Sequence, residues 1–228
     1  MMNSPKRQIA VGTLGTGKTT FLLTKALLTH SKVFVFDAKN DISISSFPES
    51  NKIAKKHSRI AVVESVMTFD DFVKYYDKFS VFVFRFEVHD LTDYAVIMRY
   101  IWSIAKERLD DVAVFLDEAE VFNKKGFLVE MSWLSTKSRS RNISVYATAT
   151  RLPYIDRALR DNTTDYYVFY TTSDRTISEI EEITSDKKIR EKILKLKKFS
   201  YIHIDLNIQE TFNGQNKKVD VSDSKQTV

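Results

Sequence analysis

Val11-Gly12-Thr13-Leu14-Gly15-Thr16-Gly17-Lys18-Thr19-Thr20 satisfies the pattern G-x-x-x-x-G-K-[ST] in full. It follows the apolar run Ile9–Val11 and opens an amphipathic stretch, Thr19–Leu28, so it lies between a strand and a helix as that pattern requires. Gly12, Gly15 and Gly17 permit backbone angles closed to other residues, which lets successive N–H groups turn inward onto phosphate oxygens. Lys18 is placed to reach the β- and γ-phosphates of a nucleotide and the Thr19 hydroxyl to bind Mg²⁺, while the dipole of the helix favours the anion. The expected nucleotide-binding segment is therefore Gly12, Thr13, Leu14, Gly15, Thr16, Gly17, Lys18, Thr19 and Thr20. Three of the five glycines of the chain fall within it, which argues against a chance turn.

Outward from this segment, apolar runs of strand length recur at Ile9–Val11, Val33–Phe36, Ile60–Val63, Val81–Phe86, Val112–Leu116, Ile143–Ala147, Tyr166–Tyr170 and Tyr201–Leu206. Thr19–Leu28, Leu91–Arg108, Lys125–Ser138 and Thr176–Glu182 read as helices, and the charged stretch Lys187–Lys198 as a solvated helix before the last strand. Alternation of this kind predicts an α/β fold, a mainly parallel central sheet flanked by helices on both faces. Phe82, Phe84 and Phe86 alternate along a strand, and Tyr94, Met98, Trp102 and Ala105 follow helical spacing; both sets are expected in the core. With 228 residues, five glycines and three prolines, the chain has the length of one domain and little material for a linker. We read 1–212 as a single ATPase domain and 213–228 as a polar, fraying tail, whose Lys217, Lys218 and Lys225 are free to touch a phosphate backbone.

The fifth apolar run ends in carboxylates, Val112-Ala113-Val114-Phe115-Leu116-Asp117-Glu118-Ala119-Glu120. Ligands gather at the carboxyl ends of parallel strands, which places Asp117 and Glu118 beside the phosphate loop. There Asp117 would hold the Mg²⁺ shell and Glu118 would take a proton from the attacking water. The competing reading makes Asp117, Glu118 and Glu120 caps of the next helix; a complete phosphate loop upstream favours the catalytic one. ATP and Mg²⁺ are the expected cofactors, and hydrolysis the expected activity.

Composition excludes more than it selects. The absence of cysteine rules out disulfides, thiol catalysis and cysteine-ligated zinc, so a metal must sit on oxygen or nitrogen. The histidines, His30, His57, His89 and His203, lack ligand spacing and are expected in core or surface roles. No apolar run approaches the roughly 20 residues that cross a bilayer, and the polar start Met-Met-Asn-Ser-Pro-Lys-Arg is unlike a secretion signal; a cytoplasmic protein is expected. The net charge of +5 suits a polyanionic partner and equally a merely basic surface.

The order of the pieces resembles the FtsK/HerA superfamily of DNA-pumping ATPases. They are the phosphate loop, Val33-Phe34-Val35-Phe36-Asp37-Ala38-Lys39, Phe115-Leu116-Asp117-Glu118-Ala119, the basic turn Ser138-Arg139-Ser140-Arg141-Asn142 with its strand Ile143 to Thr148, and Thr150 to Asn162. The resemblance spans about Ile9 to Asp205 and implies a P-loop NTPase core of RecA/ASCE-like type. The small size is similar to the genome-packaging ATPases of icosahedral viruses with internal membranes. That likeness implies a homo-oligomeric ring, expected to be a hexamer, that pumps double-stranded DNA without regard to sequence into a procapsid. It would act in the host cytoplasm or at a packaging vertex of the virion, with capsid-vertex or membrane-associated proteins as further partners.

The resemblance also implies an arginine acting on the neighbouring subunit's nucleotide. Arg139 is the first candidate, Arg157 and Arg160 the next; a surface charge or structural ion pair is an equally good reading of each. Where the family commonly carries glutamine after its sensor strand, this chain has Thr148 and Thr150, and Thr150 is taken as the sensor. Lys124, Lys137 and Arg141 are candidate contacts to DNA phosphates, which ask only for positive charge at suitable spacing. Two other functions stay open: an ATPase serving single-stranded DNA or protein export and assembly at a membrane, and a P-loop small-molecule kinase.

Overall fold

The computed structural model describes residues 5–108, 111–207 and 210–215. In chain order the strands are β1 (Arg7–Val11), β2 (Lys32–Phe36), β3 (Ile60–Val63), β4 (Val81–Phe84), β5 (Val112–Leu116), β6 (Ile143–Ala149), β7 (Asp165–Phe169), β8 (Ser200–Asp205) and β9 (Glu210–Gln215). They form one sheet in the order β3-β4-β2-β5-β6-β1-β7-β8-β9. The seven strands from β3 to β7 in that order are parallel, and β7, β8 and β9 pair antiparallel.

The helices are α1 (Lys18–Thr29), α2 (Ser50–Lys56), α3 (Phe69–Lys78), α4 (Thr92–Arg108), α5 (Ala119–Phe122), α6 (Leu128–Thr136), α7 (Arg157–Asp161), α8 (Asp174–Thr184) and α9 (Ile189–Leu194), with short 3₁₀ turns at Ile44–Ser46, Ser138–Arg141 and Leu152–Tyr154. Local chemistry fixes several starts. The Thr68 hydroxyl accepts from Asp71 N at 3.2 Å to begin α3, and the Asp156 carboxylate accepts from Leu159 N at 2.9 Å to begin α7. α9, inside the charged stretch Lys187–Lys198, is not free in solvent: Ile189 and Ile193 are fully buried.

Helices on both faces require strands that are apolar on both sides, and the two-residue period deals the side chains out between two cores. Phe34 and Phe36 face the core beneath α3, α4 and α6; Val33 and Val35 face the one beneath α1. Phe82, Phe84, Phe86, Tyr94, Met98 and Ala105 are buried in the first of these cores, with Trp102 packed against it. β1 presents Ile9 and Val11 to the larger core and only Ala10 to the α1 side, so α1 can lie close over the strand that leads into it.

Asn213 to Gln215, expected in the polar tail, belong to β9 and pair with Ser200 to Ile202. Lys217, Lys218 and Lys225 lie outside the described residues.

Where β1 ends, backbone replaces side chain. A Cβ on Gly12 would stand 2.7 Å from Phe169 Cβ and 3.0 Å from Tyr170 O, because Gly12 N and Thr13 N donate to Ala149 O (3.3 Å) and Tyr170 O (2.9 Å). Gly12→Ala should therefore push β7 away from β1 and cost about 1–3 kcal/mol of stability, the usual range for overpacking. Urea denaturation of the nucleotide-free protein would measure it.

Candidate functional site

The phosphate loop leaves the carboxyl end of β1, and the strand order decides what faces it. β6 lies between β1 and β5, with Ala10 opposite Thr148 and Leu116 opposite Ala147. The ends of three adjacent strands thus present the loop, the Thr148 hydroxyl and the acidic pair to one cleft of about 330 Å³.

In the loop, Gly15 and Gly17 take φ of +70° and +88°, values that only glycine adopts at little cost. Lys18, 7% exposed, donates from Nζ to Thr13 O at 2.9 Å, so its ammonium already lies over the loop. Burial lowers its pKa, against the pull of Glu120, Asp117 and Glu118. No side-chain oxygen caps α1 at Gly17 and no acidic residue stands in its first turn. That helix start is thus arranged for an anion supplied from outside the chain.

Opposite the loop, Asp117 Oδ1 accepts from Thr19 Oγ1 and from Thr148 Oγ1, each at 2.8 Å. Burial raises the Asp117 pKa, and the charges of Glu118 and Asp37 add to the shift while the two hydroxyls oppose it. Asp37, Asp41 and Asp117 each bring a carboxylate oxygen within 4.8 Å of the others. Asp37 is already paired with Arg85, so it is the Asp117 carboxylate, with the Thr19 hydroxyl alongside, that offers the oxygen donors fitting a hard divalent cation such as Mg²⁺.

Glu118 follows with φ +52° and ψ +61°, a left-handed conformation that costs a non-glycine residue roughly 1–2 kcal/mol. Its N–H donates to Thr148 Oγ1 at 3.0 Å, and its carboxylate pairs with the Lys39 ammonium. The strain turns the Glu118 side chain into the cleft instead of onto α5 as a cap.

Thr150, taken as the sensor, sends both its N–H (2.9 Å) and its hydroxyl (2.6 Å) to Glu120 Oε1; the hydroxyl that touches the acidic pair is that of Thr148. Lys39, which sequence reasoning quoted and gave no role, lines the cleft. Its position just beyond a central strand was the available signal.

The arginines divide by location. Arg139, exposed, lies in the 3₁₀ turn before β6, so the seven residues of β6, about 20 Å of strand, separate it from its own phosphate loop. Arg160 pairs with Glu179 and donates from Nε to Ile155 O at 3.2 Å. Arg157 meets only Asp161, at 3.5 Å, and is 86% exposed. Lys137 is exposed beside Arg139, and Arg141 packs its guanidinium 5.2 Å from the Trp102 ring centroid. Lys124 lies beyond α5, at the other end of the sheet from these two. The DNA candidates do not form one patch.

No protein-family model matches the sequence, and no curated protein matches it. The fold does have solved counterparts. The genome packaging NTPase B204 from Sulfolobus turreted icosahedral virus 2, in complex with AMPPCP, superimposes with a TM-score of 0.63 at 14% identity, over 94% of this chain and 99% of that one. VirB4 of Thermoanaerobacter pseudethanolicus gives 0.65 at 11% identity, over 94% and 90%. EssC (ATPases 2 and 3) from Geobacillus thermodenitrificans gives 0.52 at 14%, over 97% of this chain and 41% of that one. At these identities the likeness is one of fold, which this chain shares with B204, VirB4 and EssC. Among the described residues no helix is long and apolar enough to cross a membrane.

The buried charge on Asp117 yields a test. Asp117→Asn keeps the oxygen that accepts from Thr19 and Thr148 and removes the buried charge, so the nucleotide-free variant should melt higher, by about 2–4 °C if the gain is about 1 kcal/mol. The raised pKa sets the sign: the difference is largest at neutral pH and closes as pH falls through that pKa, where the wild-type carboxyl is protonated too. Mg²⁺ with nucleotide should stabilise the wild type and not the variant. Differential scanning calorimetry across pH, with and without Mg²⁺, checks all three outcomes.

Proposed function

We propose that this chain is an ATP-driven motor that works as a ring and moves double-stranded DNA, in the manner of a viral genome-packaging ATPase. The observation that carries the catalytic half is the convergence of Lys18, Thr19, Asp117, Thr148 and Glu118 in one cleft. The likeness to B204 over nearly the full length of both chains supports the packaging half.

In this reading the N–H groups of the loop and Lys18 bind the β- and γ-phosphates. Thr19 and Asp117 would hold Mg²⁺, which neutralises phosphate charge when bound. Thr148 fixes the Asp117 carboxylate and the Glu118 backbone. Glu118 accepts a proton from water, the water oxygen bonds to the γ-phosphorus, and the bond from that phosphorus to the β,γ-bridging oxygen breaks to leave ADP and phosphate.

Arg139 stands too far from its own site to act there, so its contribution comes from the adjoining subunit. A ring with head-to-tail interfaces brings the start of β6 in one subunit to the strand ends of the next.

Two measurements test the reading. Wild-type ATP hydrolysis should be stimulated by duplex DNA more than by single-stranded DNA, should lose that stimulation as salt rises, and should vanish in Lys18→Ala. Indifference to every nucleic acid in an assembled ring would leave an ATPase and remove the DNA motor.

For the arginine, Glu118→Gln and Arg139→Ala should each lose at least about 10³-fold in rate. Mixed in equal amounts before ring assembly, they should recover roughly a quarter of wild-type activity, the share of interfaces that randomly pair an intact base with an intact arginine. A mixture as inactive as its components would overturn the assignment of Arg139.

A further inference from the structure

Lys39 lies in the turn after β2, and the turn is built to hold it in place. Asp37, fully buried, accepts from Asp41 N (3.3 Å) and Ile42 N (3.1 Å). Arg85 donates from Nε to Asp37 Oδ2 at 3.1 Å and from Nη2 to Ile42 O at 2.6 Å. Asn40 closes the bend with φ +59° and donates from its N–H to Asp37 O at 3.3 Å. The long side chain is left to span the cleft, where it meets Glu118. Its side chain is 37% exposed and that of Glu118 19%, so the pair sits at the mouth of the cleft that Lys18 and Thr19 also line.

Such a pair is a poor resting arrangement for a base. A carboxylate that accepts from an ammonium offers one oxygen fewer to water. An ion pair whose lysine is open to solvent is also weak, so a stronger anion can take the cation away. The terminal phosphate of ATP is such an anion: it would enter between Lys18 and Glu118, carries more charge than one carboxylate, and lies within reach of a lysine anchored at the same mouth. ADP lacks that group and leaves the pair as it is.

We propose that Lys39 is a positioning residue that senses the γ-phosphate: it holds Glu118 in an ion pair when the cleft is empty or holds ADP, and transfers to the terminal phosphate of ATP, releasing Glu118 to the water. This rests on the ATPase reading above and adds to it the coupling between substrate identity and the state of the base. Lys18 donates to the loop at Thr13 O, and the ammonium that meets Glu118 is that of Lys39.

The exchange predicts a coupling that binding alone can read. Affinities for ATPγS and ADP, each with Mg²⁺, would be measured by isothermal titration calorimetry on wild type, Lys39→Met, Lys39→Arg, Glu118→Gln and the Lys39→Met/Glu118→Gln double variant. Lys39→Met should weaken ATPγS by about tenfold and ADP by no more than about threefold, the loss of one charged hydrogen bond felt only when the γ-phosphate is present. Lys39→Arg should keep the wild-type ratio.

Glu118→Gln frees Lys39 in advance, so it should tighten ATPγS severalfold in the wild-type background and not in the Lys39→Met background. Equal tightening in both backgrounds, or equal loss of ADP and ATPγS in Lys39→Met, would overturn the exchange and leave a structural ion pair. Wild type that binds ATPγS and hydrolyses ATP while the ratio ignores Lys39 rejects this proposal alone; wild type that binds neither nucleotide rejects the ATPase reading with it.

Discussion

One oxygen atom organises this site. Asp117 Oδ1 accepts from the first turn of α1 through Thr19 and from the end of β6 through Thr148, so the phosphate loop and two further strand ends share a single point of register. The arrangement depends on β6 being inserted between β1 and β5; with β5 directly beside β1 there would be no hydroxyl between the loop and the acids. The cost is a buried carboxylate whose charge burial disfavours. Sites of this kind hold back stability that a bound cation restores, the usual tension between function and fold.

Around that point the molecule spends strain and charge on Glu118. A left-handed backbone at a glutamate is tolerated because Thr148 receives its N–H and Lys39 receives its carboxylate. The Asp37–Arg85 pair ties the β2 turn to the end of β4. A central sheet with both faces covered is rigid enough to hold such polar ends in place, since the apolar strands beneath them, Val33 to Phe36 and Val112 to Leu116, are fully buried.

Sequence and structure part company where polarity and secondary structure part company. The phosphate loop, the acidic pair and eight of the strands are legible because glycine spacing and apolar runs report them directly. The apolar signal ends β6 at Ala147, whereas the strand runs on through Thr148 and Ala149, and the residue that joins loop to acids is the one that breaks the pattern. β1 begins at Arg7, hidden by its own charge, which is buried because Nε donates to Leu134 O and Ser138 Oγ at 3.2 Å each. β9, of polar composition, exists through its pairing with β8. Lys39 follows a central strand, but its role depends on Glu118, 79 positions away in the sequence and beside it only in the fold.

The separation of parts along the strands also constrains assembly. Every element of the cleft lies at the carboxyl ends of the parallel strands, and Arg139 lies at the amino end of β6. A two-fold dimer could make such a contact only reciprocally, with both clefts served through one shared interface. A heterologous contact sets the amino end of one sheet against the carboxyl end of the next, and repeated with closure, as proposed above, such a contact is a ring. On the proposed reading, Glu118 answers to two cations on opposite sides: Lys39 from its own chain, which withholds it until ATP arrives, and Arg139 from the neighbour, which completes the site only in the ring. Hydrolysis would then require both the right nucleotide and the right assembly, a logic suited to a motor that must not turn over ATP as a free subunit.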